Sequence, residues 1–327
     1  MSRIPETSGL LLLLAFGLGC QHDAVAPVSQ PRLSATALLQ PAADPAITFV
    51  GGGLSVMNGD GSNQAVIVQA NKTTLIGAAL PSWSPDAKSV VFAASIGGVS
   101  GLWITDVAVV SGTPVGSNLR QLQINFSAGT TVGTGTDWSP LGNPLGDVIA
   151  VVASSAQWDR NIYAVPPTGG NPTVVYTSAP GYVPEWPAWS PDASKLVFAE
   201  RTIAAPYLRS LLVFDRTTAH VDTVVSLGSF FARYPAWSHG GDRIAYSGYS
   251  GSNAEAVYVV AFTGTIAPTA TPVQLINGRD PTWSADDSKI VFFGGAHSTS
   301  GVYALTLATG GTQLLANGGG QPDWRRF

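Results

Sequence analysis

The sequence predicts an all-β protein: a six-bladed β-propeller of four-stranded antiparallel blades, closed by a carboxy-terminal strand that joins the amino-terminal blade. Three observations carry this. A tryptophan recurs at Trp83, Trp138, Trp189, Trp237, Trp283 and Trp324, at intervals of 55, 51, 48, 46 and 41 residues, which are within or just above the span of a four-stranded blade. Most of these tryptophans sit in the same local context, a short strand running into a turn and then an apolar strand. The composition agrees: 37 Gly and 23 Pro make many turns, while 45% hydrophobic and 11% charged residues leave ample material for a core.

Before the repeats lie two segments of a different kind. Leu10 to Phe16 reads LLLLLAF, too short to span a bilayer but suited to the apolar region of a signal peptide, with Arg3 ahead of it. It runs into Gly17-Leu18-Gly19-Cys20, which resembles a bacterial lipobox, and residues 1–19 are accordingly expected to be a lipoprotein signal with Cys20 the lipidated residue. Gln21 after the cysteine points, by the same resemblance, to the outer membrane. Residues 20–45, rich in Pro, Ala, Ser and Gln without strand or helix period, read as a flexible tether with a reach of roughly 25–30 Å. The propeller is expected over 46–327, exported and held to the envelope only through the lipid.

Four repeats align without a gap: Trp83 to Phe92 (WSPDAKSVVF), Trp189 to Phe198 (WSPDASKLVF), Trp237 to Tyr246 (WSHGGDRIAY) and Trp283 to Phe292 (WSADDSKIVF). A fifth, Trp138 to Val151, carries an insertion over Leu141 to Gly146. In each, Pro-x-Trp-Ser reads as a short innermost strand and the following Pro-Asp or Ala-Asp as a hairpin turn, so Asp86, Asp192 and Asp286 are expected to be turn formers. Apolar runs such as Val90-Val91-Phe92 and Ile290-Val291-Phe292 make the second strand, Leu211 to Phe214 and Val257 to Val260 a third, and Thr223 to Ser226 a fourth. Three strand-like pieces before Trp83, at Ile47 to Val50, Leu54 to Met57 and Gln64 to Val68, lack an innermost partner, which Trp324 to Phe327 is expected to supply. The repeated tryptophans are expected to pack blade against blade.

The Trp-Ser-Pro-Asp hairpin with its apolar strand, and the segment Ser55 to Gln64 (SVMNGDGSNQ), resemble the repeats of the TolB-type β-propellers over about residues 46–327. The resemblance implies a tethered interaction module in the cell envelope, presenting one face to an envelope protein, peptidoglycan or a glycan.

In such a ring the chain enters each innermost strand at one face, where the loops between second and third strands also lie. The candidate site is therefore the channel mouth on that face: Glu185, Trp186, Arg233, Tyr234, Arg279, Asp280 and Gln321, opposite the bland Leu80 and Gly135. The neighbouring loops add Trp158, Arg160, Tyr207, Arg209 and His297. Exposed aromatic residues beside arginine are enriched in binding sites. The plainer expectation is that Glu185, Arg233, Arg279 and Asp280 pair with one another across neighbouring blades.

Chemistry of other kinds finds less support. A net charge of −4 offers no basic surface for nucleic acid, and one cysteine allows no intramolecular disulfide. The sequence holds no Gly-x-Ser-x-Gly, His-Glu-x-x-His or phosphate-loop motif, and its four histidines have no ligand spacing, so no catalytic residue and no metal ligand set is assigned. Calcium is the one cofactor the channel suggests, through oxygens from Asp280, Asp323 and Glu185. A monomeric binding protein is thus expected, with a channel-sited hydrolase or lyase, calcium-dependent in one form, as the alternative.

Overall fold

In the computed structural model, the residues described are 45–326, apart from 71–74, 155–159, 206, 227–231, 250–253, 265–270 and 296–299. Trp158, His297 and Cys20, with the signal and tether segments, lie outside them. Among the described residues, twenty-four strands form six four-stranded antiparallel sheets.

Blade 1 is built from both ends of the domain: β24 (Gly320–Trp324) is innermost, followed outward by β1 (Ile47–Val50), β2 (Gly53–Met57) and β3 (Ala65–Gln69). The other blades follow chain order from the inside out. Blade 2 holds β4 (Leu75–Trp83), β5 (Ser89–Ile96), β6 (Val99–Val110) and β7 (Thr113–Gln121). Blade 3 holds β8 (Thr131–Trp138), β9 (Ile149–Ser154), β10 (Arg160–Val165) and β11 (Thr173–Thr177). Blade 4 holds β12 (Tyr182–Trp189), β13 (Lys195–Thr202), β14 (Arg209–Asp215) and β15 (His220–Val225). Blade 5 holds β16 (Arg233–Trp237), β17 (Arg243–Tyr249), β18 (Glu255–Ala261) and β19 (Val273–Asn277). Blade 6 holds β20 (Arg279–Trp283), β21 (Lys289–Gly294), β22 (Gly301–Thr306) and β23 (Thr312–Asn317). One expectation needs correcting: the closing strand is Gly320–Trp324, and it pairs Trp324 with Ile47 and Asp323 with Thr48, whereas Arg325 and Arg326 follow it. The tryptophan ends an innermost strand rather than starting one, because the hairpin turn begins at the next residue.

The core is six separate packets, and each contains one repeat tryptophan between two adjacent blades. Trp83 packs with Leu54 and Val56 of blade 1 and Val90 and Phe92 of blade 2. Trp189 packs with Val148 and Ile162 of blade 3 and Leu196 and Phe198 of blade 4. Trp138, Trp237, Trp283 and Trp324 repeat the pattern at the other junctions. Apolar burial of a tryptophan contributes several kcal/mol, so these side chains join the blades face to face around the ring.

The hairpin after each tryptophan is held by its serine and aspartate. Ser84 Oγ donates to Asp86 Oδ1 and accepts from Ser89 N, and the same arrangement recurs at Ser190 with Asp192 and Ser284 with Asp286. Asp86, Asp192 and Asp286 are therefore turn formers, as their position in the motif implied.

Candidate functional site

The six innermost strands surround a channel, and each has a bulge three residues before its tryptophan. Leu80, Trp186, Tyr234, Asp280 and Gln321 have φ of 49–54°, and Gly135 has φ of 104°. Left-handed backbone is uncommon for residues with a side chain. Here it recurs at one position in every blade, and these six residues all line the upper part of a cavity of about 100 Å³. Blade 3 carries a glycine at this position for a steric reason: a Cβ on Gly135 would lie 2.5 Å from Trp186 Cα and 2.8 Å from Trp186 N.

The mouth is therefore one-sided. Trp186 and Tyr234, from blades 4 and 5, pack with ring centroids 4.5 Å apart and planes tilted by 43°, and the Arg209 guanidinium lies 5.5 Å from the Trp186 ring. Asp280 follows on blade 6 and Gln321 on blade 1, where Gln321 Oε1 accepts a hydrogen bond from Leu80 N. Leu80 and Gly135 leave the blade 2 and blade 3 side without polar or aromatic side chains at this level.

The charged residues pair inside blades, which corrects the expectation of pairing across them. Glu185, only 8% exposed at its side chain, accepts from Arg201 Nε at 3.2 Å and from Arg209 Nε at 2.9 Å, all three within blade 4. Arg233 lies 3.1 Å from Glu255 of the same blade and donates to the Tyr249 hydroxyl. Arg279 lies over the Phe293 ring and no nearer than 3.7 Å to Asp280, its chain neighbour. The reason is geometric: the second and third strands of a blade bring their upper ends beside its own first strand, closer than the next blade's. Of the loop residues, Tyr207 is exposed with Arg201 stacked on it, and Arg160 begins β10. Burial pushes the Asp280 carboxyl up to about 7, against the opposing pull of Arg279 and Arg233.

Lower in the channel lies a cluster that the repeat motif alone does not bring together. The residue before each tryptophan points at the next blade: Asp323 accepts from Trp83 N, Ser82 from Trp138 N, Asp137 from Trp189 N and Thr282 from Trp324 N. At blades 4 and 5 the position is Ala188 and Ala236, whose side chains offer no acceptor. Arg326 reaches into this level and binds both oxygens of Asp137. Burial raises the Asp323 carboxyl to about 7, with Arg326 pulling it down and Asp137 pushing it up. At the lower rim His239 Nδ1 lies 3.2 Å from Asp287 Oδ1, and Nε2 has no partner. Aligning the single column before the tryptophans would have revealed Asp137 beside Asp323, which the sequence had suggested as a channel carboxylate.

Asp280, Asp323 and Glu185 do not come together as one ligand set. Glu185 is engaged by two arginines, Asp280 sits at the mouth and Asp323 below it. Among the described residues no group of three or more His, Cys, Asp or Glu side chains is placed to hold a metal ion.

Comparison with known proteins agrees with this architecture. No family model matches the chain. A Protein TolB homolog from Chlorobium luteolum is 28% identical over 128 residues, 39% of this chain and 27% of the relative, so the matched part spans about a quarter of that protein. The crystal structure of TolB from Acinetobacter baumannii superposes with a TM-score of 0.63 at 14% identity, covering 87% of this chain and 67% of that one. A structure assigned as TolB from Agrobacterium tumefaciens gives 0.62 at 16% identity, covering 85% and 92%. An oligogalacturonate lyase in complex with manganese is also similar, at 0.50 and 16% identity over 80% of this chain and 74% of the lyase. Repeats, blade topology and these likenesses agree on the fold: the chain is a six-bladed β-propeller, similar in architecture to the TolB structures.

Proposed function

We propose that this protein is an exported, non-catalytic binding propeller that presents the upper mouth of its channel to an extended segment of a protein partner in the cell envelope. One observation carries the reading: Trp186, Tyr234, Asp280 and Gln321 converge on one side of the mouth, on backbone held in left-handed geometry, with Leu80 and Gly135 opposite. Strained backbone retained at one rim position in every blade aims side chains into a shared space, which is what a preformed site requires. Tyr207, Arg160 and Arg279 extend the contact surface outward, and Glu185 positions Arg209 beside Trp186. The likeness to TolB proteins and the signal-like amino-terminal segment support an envelope setting, with Cys20 as the lipid attachment.

The test is retention of envelope proteins by the full-length protein and by a Tyr234→Ala, Arg279→Ala variant with unchanged thermal unfolding. Glu185 is left intact, since its loss strands two arginines and would confuse folding with binding. A partner held by the parent and lost by the variant supports the reading. A partner held equally by both removes the mouth from it. Cys20→Ser should move the protein from the membrane to the soluble envelope fraction.

A second reading, a channel-sited enzyme, is favoured by the His239–Asp287 pair, in which a carboxylate orients an imidazole whose other nitrogen is unpartnered. Loss of a measured hydrolase or lyase activity in His239→Gln, with folding intact, would support it.

A further inference from the structure

We propose that the channel mouth holds a primary ammonium group of the partner segment, seated against the Asp280 carboxylate and the ring of Tyr234. This deepens the binding reading above and rests on it. Asp280 is fixed in place by its backbone, with φ of 54° and its N donating 2.8 Å to Ser247 Oγ on the neighbouring blade. The residue is 7% exposed, lines the cavity, and its Oδ1 has no hydrogen-bond partner. A buried carboxylate oxygen without a donor is costly, and native proteins seldom keep one without a purpose.

The surrounding cations do not meet the need. Arg201 and Arg209 are bound to Glu185, Arg233 sits on Glu255 and Tyr249, and Arg279 lies on Phe293 with Nε 3.7 Å from Asp280 Oδ2, beyond hydrogen-bond distance. The group that the site lacks is therefore a small cationic donor arriving from the channel mouth. Tyr234 lines the same cavity and feels the Asp280 charge, so the ring and the carboxylate address one space, and Trp186 packs against the tyrosine at a tilt. An aromatic face beside a carboxylate favours a cation over a neutral donor. A compact ammonium, a point charge with three donors on a thin stem, suits a cavity of about 100 Å³ better than a planar guanidinium. Two sources share this chemistry, the amino terminus of a chain and a lysine side chain.

The experiment uses the full-length protein and n-butylammonium as probe, followed by saturation-transfer NMR at pH 8, with n-butanol as the neutral control. Butylammonium is expected to bind and butanol not. Asp280→Asn, which keeps the shape, should weaken binding at least about ten-fold, as loss of one partner of a close charge pair does. Tyr234→Ala should weaken it as well, while Tyr234→Phe retains it. Equal binding of butanol, or butylammonium binding that is unchanged in Asp280→Asn, overturns the proposal. Triglycine amide and Nα-acetyl-lysine amide then separate the sources, and binding of neither counts against the proposal. A protein partner lost with Tyr234→Ala but retained by Asp280→Asn overturns the ammonium inference alone. A partner indifferent to every substitution at the mouth overturns the binding reading instead.

Discussion

Arg326 Nη2 lies 2.6 Å from each carboxylate oxygen of Asp137, so the residue two places beyond β24 is tied to the inner strand of blade 3, one blade past its neighbour. The Asp137 carboxylate also accepts from Trp189 N on blade 4 and from Ser82 Oγ on blade 2, so this one blade 3 side chain is joined to three other blades. Removing the guanidinium leaves Asp137 charged and nearly buried. Arg326→Ala should therefore cost about 2–4 kcal/mol, somewhat reduced because Arg326 keeps partial contact with water. Adding Asp137→Asn should recover part of that loss in urea unfolding, since the asparagine oxygen can still accept from Trp189. A cost equal to the sum of the two single substitutions would argue against the pair acting as a unit.

Two buried carboxyls set a pH dependence of stability across the acid-to-neutral range. Burial raises both Asp280 and Asp323 to about 7, from an ordinary value of 3.8. The groups facing Asp280 are Arg279 on its own strand, Arg233 and Glu255 on blade 5, and Gln321 N. Those facing Asp323 are Arg326, Asp137 and Trp83 N. An acid that is harder to ionise when folded contributes stability that is intact below its unfolded value and lost as pH climbs through the folded one. The protein should therefore be less stable at pH 7.5 than at pH 5, by on the order of a few kcal/mol. Asp215, bonded by Lys195 and Thr217, and Asp60, bonded by Ser62, are shifted the opposite way, and their contribution is lost only as pH falls below the usual carboxylate range. Calorimetry of the Asp280→Asn, Asp323→Asn variant should show a flatter profile between pH 5 and 7.5. A slope that survives both substitutions would assign the effect to other groups.

The acceptor before each tryptophan supplies a third expectation. Ser82 Oγ takes the hydrogen bond of Trp138 N at 3.0 Å in a buried setting. Ser82→Ala should lose about 1 kcal/mol, with Trp138 N left without an acceptor between blades 2 and 3. The reciprocal change, Ala236→Ser, places a side-chain acceptor where blade 5 has none and should gain a fraction of that amount. Denaturant midpoints at constant slope decide both cases, and an unchanged Ser82→Ala midpoint would mean that water replaces the hydroxyl.

The fold was legible because its determinants are local and repeated. Each Trp-Ser-Pro-Asp unit carries its own turn chemistry in Ser84, Asp86 and their counterparts, and each tryptophan needs only a neighbouring blade to pack against. The ring at the mouth was legible for the same reason, since Trp186, Tyr234, Asp280 and Gln321 hold one place in the repeat. The partners of the charged residues were not. Glu185 meets Arg201 and Arg209 because strands two and three return beside strand one, and Arg233 meets Glu255 likewise, so side-chain reach decides the pairing. The Arg326–Asp137 contact was hidden because it joins positions 189 residues apart, with no motif linking them.

The last expectation concerns why the mouth is open on one side. Gly135 occupies the position that elsewhere carries Leu80, Trp186, Tyr234, Asp280 or Gln321, and its φ of 104° is reached easily only by glycine. A methyl group there meets the backbone of Trp186 at 2.5 Å, which cannot move without displacing the Tyr234 ring packed against it. Gly135→Ala should thus destabilise the ring by several kcal/mol, through strain rather than through lost contacts. Because the strain falls on Trp186, near-ultraviolet circular dichroism of whatever folded protein remains should also change in the aromatic region. Leu80→Ala, at the same ring position but with room around it, is the comparison: it should be milder and should leave the aromatic signal as it was. If the two variants behave alike, the one-sided mouth does not depend on the close approach of Trp186 to blade 3.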